Sequence, residues 1–244
     1  MPLALALDRR ALLAAAAILP LAAAATPAFA DDAHDKQMRE DFPWLARYAD
    51  DNAKLIASGK PVGTVFMGDS ITEGWQAKHP AYFADTNHVC RGISGQTTPQ
   101  MVLRMMADVV HLKPKAVHIM AGTNDVAGNT GPMTAAQTED NLTMMTEVAK
   151  AAGIHVLLAS IPPSAAFPWR PGLAVTEPIR ALNRWIEGYA KRAGATWVDY
   201  TPALADDAGG MKPGMAVDGV HPTAEGYAVM ERVLDPVVRR FDVV

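Results

Sequence analysis

The stretch Val62-Gly63-Thr64-Val65-Phe66-Met67-Gly68-Asp69-Ser70-Ile71-Thr72-Glu73-Gly74-Trp75 decides how the rest of the chain is read. Its apolar run stops at Gly68-Asp69-Ser70, and a polar turn leads away. A buried parallel strand delivers one hydroxyl to the edge of a sheet in this way. Ligands of open α/β sheets bind outside the carboxyl ends of the strands, so Ser70 stands where a nucleophile would be useful. On their own, the same residues also suit a strand followed by an Asx or Ser turn.

Working outward, apolar runs rich in β-branched residues recur at 62–67, 88–93, 116–121, 154–160 and 196–200. Between and after them lie stretches of helical periodicity at 97–110, 134–152, 176–193 and 223–240. The second of these sets Ala135, Leu142, Met145, Val148 and Ala149 on one face, with Glu139, Asp140 and Glu147 elsewhere. Gly153 and Gly194 stand where helix C-terminal glycines belong. Strands alternating with helices of this length predict βαβ units and a parallel sheet covered on both faces. Met101, Met105, Met106, Met144 and Met145 fall at helical spacing and read as core. His118 and His155, inside apolar runs, read as satisfied buried histidines. Residues 31–60 are polar and helix-prone, and Phe42, Trp44, Leu45, Tyr48, Leu55 and Ile56 are expected to pack that leading segment on the domain. The run Ile161-Pro162-Pro163-Ser164-Ala165-Ala166-Phe167-Pro168-Trp169-Arg170-Pro171-Gly172 is too proline-rich for a helix and follows the fourth strand.

The 244-residue chain is half apolar and one-fifth charged, an ordinary globular composition. Residues 1–30 read as an export signal: Arg9-Arg10, an Ala/Leu-rich run from Ala11 to Ala25, and a small-residue cleavage site at Ala28-Phe29-Ala30. The arginine pair fits a twin-arginine signal as well as the general secretory route. The apolar run is too short and Ala-rich for a membrane span, so no stable membrane insertion is expected. The remainder, 31–244, is read as one domain, periplasmic or secreted. The net charge is −4, and one unit more negative without Asp8, Arg9 and Arg10. No basic stripe interleaved with aromatics occurs, so nucleic acid is not expected as a partner. The single Cys90 leaves no internal disulfide and no multi-cysteine metal cluster. Neither a Walker A lysine nor a dinucleotide glycine pattern is present.

Three more stretches join Ser70. Gly92-Ile93-Ser94-Gly95-Gln96-Thr97-Thr98 follows the second strand, and Gly122-Thr123-Asn124-Asp125 follows the third. Asp218-Gly219-Val220-His221-Pro222 precedes the last helix. In a parallel sheet these stretches can share one edge. Acyl transfer needs a nucleophile, a base, a group that orients the base, and donors for an oxyanion. Ser70, His221 and Asp218 suit the first three roles, since a three-residue spacing lets the aspartate fold back on its histidine. The N–H groups of Ser70 and Gly95 and the Asn124 amide are candidate oxyanion donors. Each stretch also has a structural reading, a helix cap for Asp218-x-x-His221 and a turn for Gly-Thr-Asn-Asp. Asp69 and Asp125 fit hydrogen-bonding roles beside the site. Asp69, Trp75 and Trp169 are candidate substrate contacts, with simple packing as the alternative for the two tryptophans.

The four stretches together, in this order, resemble the SGNH hydrolases, also called the GDSL esterase/lipase family, whose blocks centre on Ser, Gly, Asn and His. Gly68-Asp69-Ser70, with Ile71 in place of leucine, matches the first; Gly95, Asn124 and Asp218-x-x-His221 match the others. The resemblance runs from 62 to about 240 and is nearest the platelet-activating-factor acetylhydrolase-like branch. It implies a three-layer α/β/α flavodoxin-like fold around a five-stranded parallel sheet. It also implies a triad of Ser70, His221 and Asp218, an oxyanion hole of Ser70, Gly95 and Asn124, and no metal or organic cofactor. Thr72 breaks a Gly-x-Ser-x-Gly elbow, which disfavours an α/β-hydrolase. The expected activity is hydrolysis of short-chain esters, acetyl above all, with a small-molecule or saccharide ester as substrate. The alternatives are a lysophospholipase or thioesterase of the same family, or an inactive secreted carbohydrate-binding protein. Oligomeric state is not legible in the sequence.

Overall fold

A computed structural model describes residues 33–84 and 87–242. The export signal expected at 1–30 lies outside the described residues. Five strands form one parallel sheet: β1 (Thr64–Gly68), β2 (His88–Gly92), β3 (Ala116–Met120), β4 (His155–Ala159) and β5 (Thr196–Val198), in the order β2-β1-β3-β4-β5. All four strand pairings are parallel, with Gly68 opposite both Gly92 and Met120. Every residue of β1 and β3 is buried, as strands covered on both faces should be.

Among the described residues, ten α-helices connect and flank the strands. They are α1 (Ala33–Glu40), α2 (Ala49–Ser58), α3 (Ser70–Lys78), α4 (Pro80–Ala84), α5 (Thr98–Asp108), α6 (Thr123–Ala127), α7 (Ala135–Ala151), α8 (Thr176–Ala193), α9 (Thr201–Leu204) and α10 (Ala224–Val238). Helices α5, α7 and α8 pack side by side, as do α3, α4 and α10. With right-handed crossovers, this strand order puts the two groups on opposite faces, giving three α/β/α layers. Sharp caps fix several helix starts. Thr97 with Gln100 and Thr134 with Gln137 form capping boxes, and Thr223 accepts from Gly226 N–H.

Between β1 and α3 the chain turns in one residue, and the sequence makes that possible. A Cβ on Gly68 would run into the Thr72 hydroxyl and stand 2.9 Å from the Met120 carbonyl oxygen. One on Gly92 would press into the α3 backbone, 2.7 Å from Thr72 C and 2.8 Å from Asp69 O. The start of α3 therefore lies backbone-to-backbone on the end of β2, and its Thr72 side chain presses on the end of β1, which only glycine allows at either strand end.

Several expectations need correction. Strand β1 starts at Thr64, two residues late, although Val62 and Gly63 already bond to Lys115, Ala116 and Asn87 at the entries to the neighbouring strands. The leading segment is helical, built as two helices and a short 3-10 turn (Leu45–Arg47). It breaks where the Asp41 carboxylate takes the Leu45 and Ala46 N–H groups. Tyr48 in it is buried, but Leu45 and Ile56 are exposed. Met106 and Met144 are also exposed, about half of each being open, whereas Met101, Met105 and Met145 are core. Helical spacing sets a residue's angle, and these two sit just past the buried stripe. His118 is fully buried on the Tyr200 hydroxyl at 2.9 Å, and burial lowers its pKa to about 3.

Candidate active site

The crevice lies where the strand order reverses, between β1 and β3, the usual ligand position in doubly wound sheets. Ser70 is the first residue of α3, so its N–H is one of the four that a helix cannot satisfy internally. Asp69 caps the helix by accepting from Ile71 N–H at 3.0 Å. From the other end of the chain, the loop before α10 brings in His221. Its Nε2 lies 2.9 Å from Ser70 Oγ, and its Nδ1 lies 2.8 Å from Asp218 Oδ2. A carboxylate only accepts, so Nδ1 carries the proton and Nε2 is left to accept from the serine hydroxyl. Gly219, at φ 86°, makes the turn that folds Asp218 back. The other Asp218 oxygen takes the Val220 and His221 N–H groups at 3.0 and 2.8 Å. Partial burial pushes the Asp218 pKa up, but these bonds from Val220 and His221 outweigh it and hold it below the ordinary carboxylate value. Tyr227 in α10 donates to the Ile71 carbonyl at 2.7 Å, tying the helix behind His221 to the helix behind Ser70.

Gly95 sits exposed at φ 78° in the turn after β2, and a Cβ there would meet open space. Asn124, buried in α6, donates from Nδ2 to the Gln96 carbonyl at 3.0 Å. The second Nδ2 hydrogen reaches only Asp69 Oδ2, at 3.4 Å. The structure thus brings Ser70, His221, Asp218, Gly95 and Asn124 to the same sheet edge. Asp125 faces away, accepting from Thr98 N–H, the Thr98 hydroxyl and the Thr138 hydroxyl. Burial raises its pKa against those bonds.

Two candidate substrate contacts are corrected. Trp75 is fully buried, its indole N–H donating to Glu231 at 2.8 Å and its ring stacked between Tyr82 and Tyr227. It lies one helical turn past Ile71, on the inner face of α3, and cannot touch a ligand. Asp69 is also buried, so it works from beneath, on the helix cap and Asn124. Its pKa is raised to about 6, chiefly by burial. Trp169 does stand at the site: its ring centroid is 6.0 Å from that of His221, and it stacks on buried Phe167 at 4.9 Å.

Sequence reasoning missed three residues. Asn129 accepts from Trp169 Nε1 at 3.1 Å and donates to Asn124 Oδ1 at 2.8 Å, which fixes which way the Asn124 amide points. Arg104, fully buried, donates to the carbonyls of Gly68 (2.9 Å) and Arg91 (2.7 Å) and to Gln96 Oε1 (2.6 Å). It thereby locks the two strand ends that carry Ser70 and Gly95. Glu73 holds the turn before Gly95 through Ser94 N–H at 2.9 Å. Only Arg104 left a local trace, an arginine four residues before Asp108, with which it pairs at 3.0 Å on the buried face of α5. Among the described residues, no group of three or more His, Cys, Asp or Glu side chains is placed to hold a metal ion.

The model of the GDSL-like lipase/acylhydrolase family matches residues 66–229. The chain is 31% identical over 191 residues to Esterase TesA of Pseudomonas aeruginosa, covering 75% of this chain and 85% of that one. A GDSL-like lipase from Bacteroides thetaiotaomicron VPI-5482 superposes with a TM-score of 0.78 at 42% identity, over 82% of this chain and 99% of its own. A catalytic mutant of an acetylxylan esterase from Geobacillus stearothermophilus superposes with a TM-score of 0.58 at 21% identity, over 76% and 99% of the two chains. That last likeness is one of fold.

Proposed function

The chain belongs to the GDSL-like lipase/acylhydrolase family and is a hydrolase acting on esters; on that premise we propose that it is an exported serine esterase that removes short acyl groups, acetyl above all. The observation that supports this best is the unbroken line Asp218–His221–Ser70, at 2.8 and 2.9 Å. Ser70 Oγ attacks the ester carbonyl carbon while His221 Nε2 takes its proton, and Asp218 stabilises the imidazolium. The carbonyl oxygen, now an anion, is met by the Ser70 and Gly95 N–H groups and by Asn124 Nδ2. The long Asn124–Asp69 contact is the one it displaces. His221 then protonates the departing alcohol. Water, deprotonated by the same imidazole, releases the acid from Ser70.

Trp169 lies against the His221 ring, 6.0 Å between centroids, and we read it as a wall that favours a small acyl group. The acetylated partner is read as a sugar or another small alcohol. The domain is taken as 31–244, since elements from both ends of the described chain join one core. Export rests on Arg9-Arg10 and the Ala/Leu-rich run after them. Among the described residues no helix is long and apolar enough to cross a membrane.

The test is hydrolysis of p-nitrophenyl esters from acetate to palmitate by wild type and Ser70→Ala. Rates that peak at acetate and vanish in the variant support the proposal. A peak at long chains moves the reading to a lysophospholipase or thioesterase. Folded protein that is silent throughout restores the inactive saccharide-binding reading.

A further inference from the structure

A cavity of ≈ 220 Å³ opens beside Gly95 and Asn129, and its far wall is built by the N-terminal segment, Met38 in α1 and Trp44. It is smaller than the roughly 300–1,000 Å³ that drug-sized ligands occupy, so it has room for one ring and not for a long acyl chain. Trp44 is the unusual member. Its backbone sits at φ 54°, ψ 53°, the left-handed region that a bulky residue normally avoids, and 38% of the residue stays exposed.

The surroundings force that conformation. Gln100 Nε2 donates to the Phe42 carbonyl at 2.7 Å, Gln96 Nε2 donates to the Pro43 carbonyl at 2.8 Å, and Trp44 N–H donates to the Asp41 carbonyl at 2.7 Å. Strain held in place by so many bonds, next to a reacting centre, points to a role for the side chain it presents. The bonds also index Trp44 to the chemistry, because Gln96 is the residue whose carbonyl holds Asn124.

We propose that this cavity is a saccharide subsite, in which the sugar ring adjoining the acetylated one lies against the Trp44 indole. The proposal rests on the ester-hydrolase reading of Ser70 and adds the class of alcohol. A sugar ring has an apolar C–H face and a rim of hydroxyls, and the walls match both. Trp44 and Met38 supply the apolar side. The hydroxyls of Ser94 and Thr130 are engaged with Glu73 and Thr97, yet each oxygen keeps acceptor capacity toward a ligand.

Two measurements test it. The first is calorimetric binding of unacetylated xylo-, cello-, manno- and chito-tetraose to the Ser70→Ala protein. At least one should bind, and Trp44→Gly in the same background should weaken it about tenfold or more. Glycine suits the left-handed backbone, so this variant removes the ring without forcing the chain elsewhere, and Trp44→Phe should recover most of the affinity. The second is the ratio of kcat/KM for acetylated xylobiose to that for p-nitrophenyl acetate, which should fall about tenfold in Trp44→Gly. Binding of none of the four sugars, or an unchanged ratio, overturns the subsite. Either result, with p-nitrophenyl acetate still hydrolysed through Ser70, leaves the esterase reading standing. Absence of any Ser70-dependent hydrolysis overturns the esterase reading instead.

Discussion

Two histidine–carboxylate pairs of the same geometry lie around the seam of α3 and α10, one within the loop before α10 and one bridging the two helices. At one end His221, just before α10, holds Asp218 through Nδ1 at 2.8 Å. At the other, His79, which closes α3, holds Glu231 of α10 through Nδ1, also at 2.8 Å. The first pair is the more open, with side-chain exposures of 32% and 38% against 21% and 18%. What separates them is the company each keeps. The His221 ring turns its other nitrogen to Ser70 Oγ at the end of a strand, whereas Glu231 spends the same oxygen that holds His79 on the buried Trp75 indole. A histidine–carboxylate pair becomes a base only where its free nitrogen meets a nucleophile beside oxyanion donors.

The sharpest way to break this contrast is to neutralise each carboxylate. Asp218→Asn should lower kcat/KM by up to roughly 10⁴-fold while moving the unfolding midpoint little, since the side chain is exposed. A loss of stability with activity intact would reverse the roles assigned to the two pairs. Next in size, Asn124→Ala should lower kcat by roughly 10²–10³-fold; a change under threefold would remove Asn124 from the oxyanion site.

Asp69 sharpens the contrast through pH. In the folded state it keeps its proton to about pH 6, where its ordinary value is 3.8. Between those values the folded protein binds the extra proton, so this group's contribution to stability falls as pH rises through the window. Asp69→Asn does not titrate. Its stability relative to wild type should therefore rise by up to about 3 kcal/mol on going from pH 4 to pH 7. Urea unfolding at both values would show a constant difference if Asp69 were not buried as described. Smallest in effect on the assay, Glu231→Gln should cost about 1–3 kcal/mol of stability and leave kcat/KM within twofold for the folded fraction.

The sheet was legible because fully buried strands read as continuous apolar runs. All five appear within two residues of their expected ends, and four long helices within two of theirs. At the site, local motifs marked Ser70, Gly95, Asn124, Asp218 and His221, because each sits in a turn or in the first turn of a helix that directly follows a strand or loop with restricted residue types. The residues that hold those five in place were not legible. Asn129, Arg104 and Glu73 act through partners far along the chain, and no local pattern announces a bond from Trp169 to Asn129, from Arg104 to Gly68 or from Ser94 to Glu73. Trp75 was misplaced for the opposite reason. Closeness in sequence to Ser70 suggested closeness to substrate, yet its spacing from Ile71 had already put it on the inner face of α3.

The most direct test of the central claim is to label the protein with diethyl p-nitrophenyl phosphate and map the adduct by peptide mass spectrometry. A single diethylphosphoryl group on Ser70, formed in step with the loss of ester hydrolysis and absent from His221→Ala, is the predicted result. Full inhibition with the adduct on another residue, or persistent hydrolysis by protein fully labelled at Ser70, would contradict it.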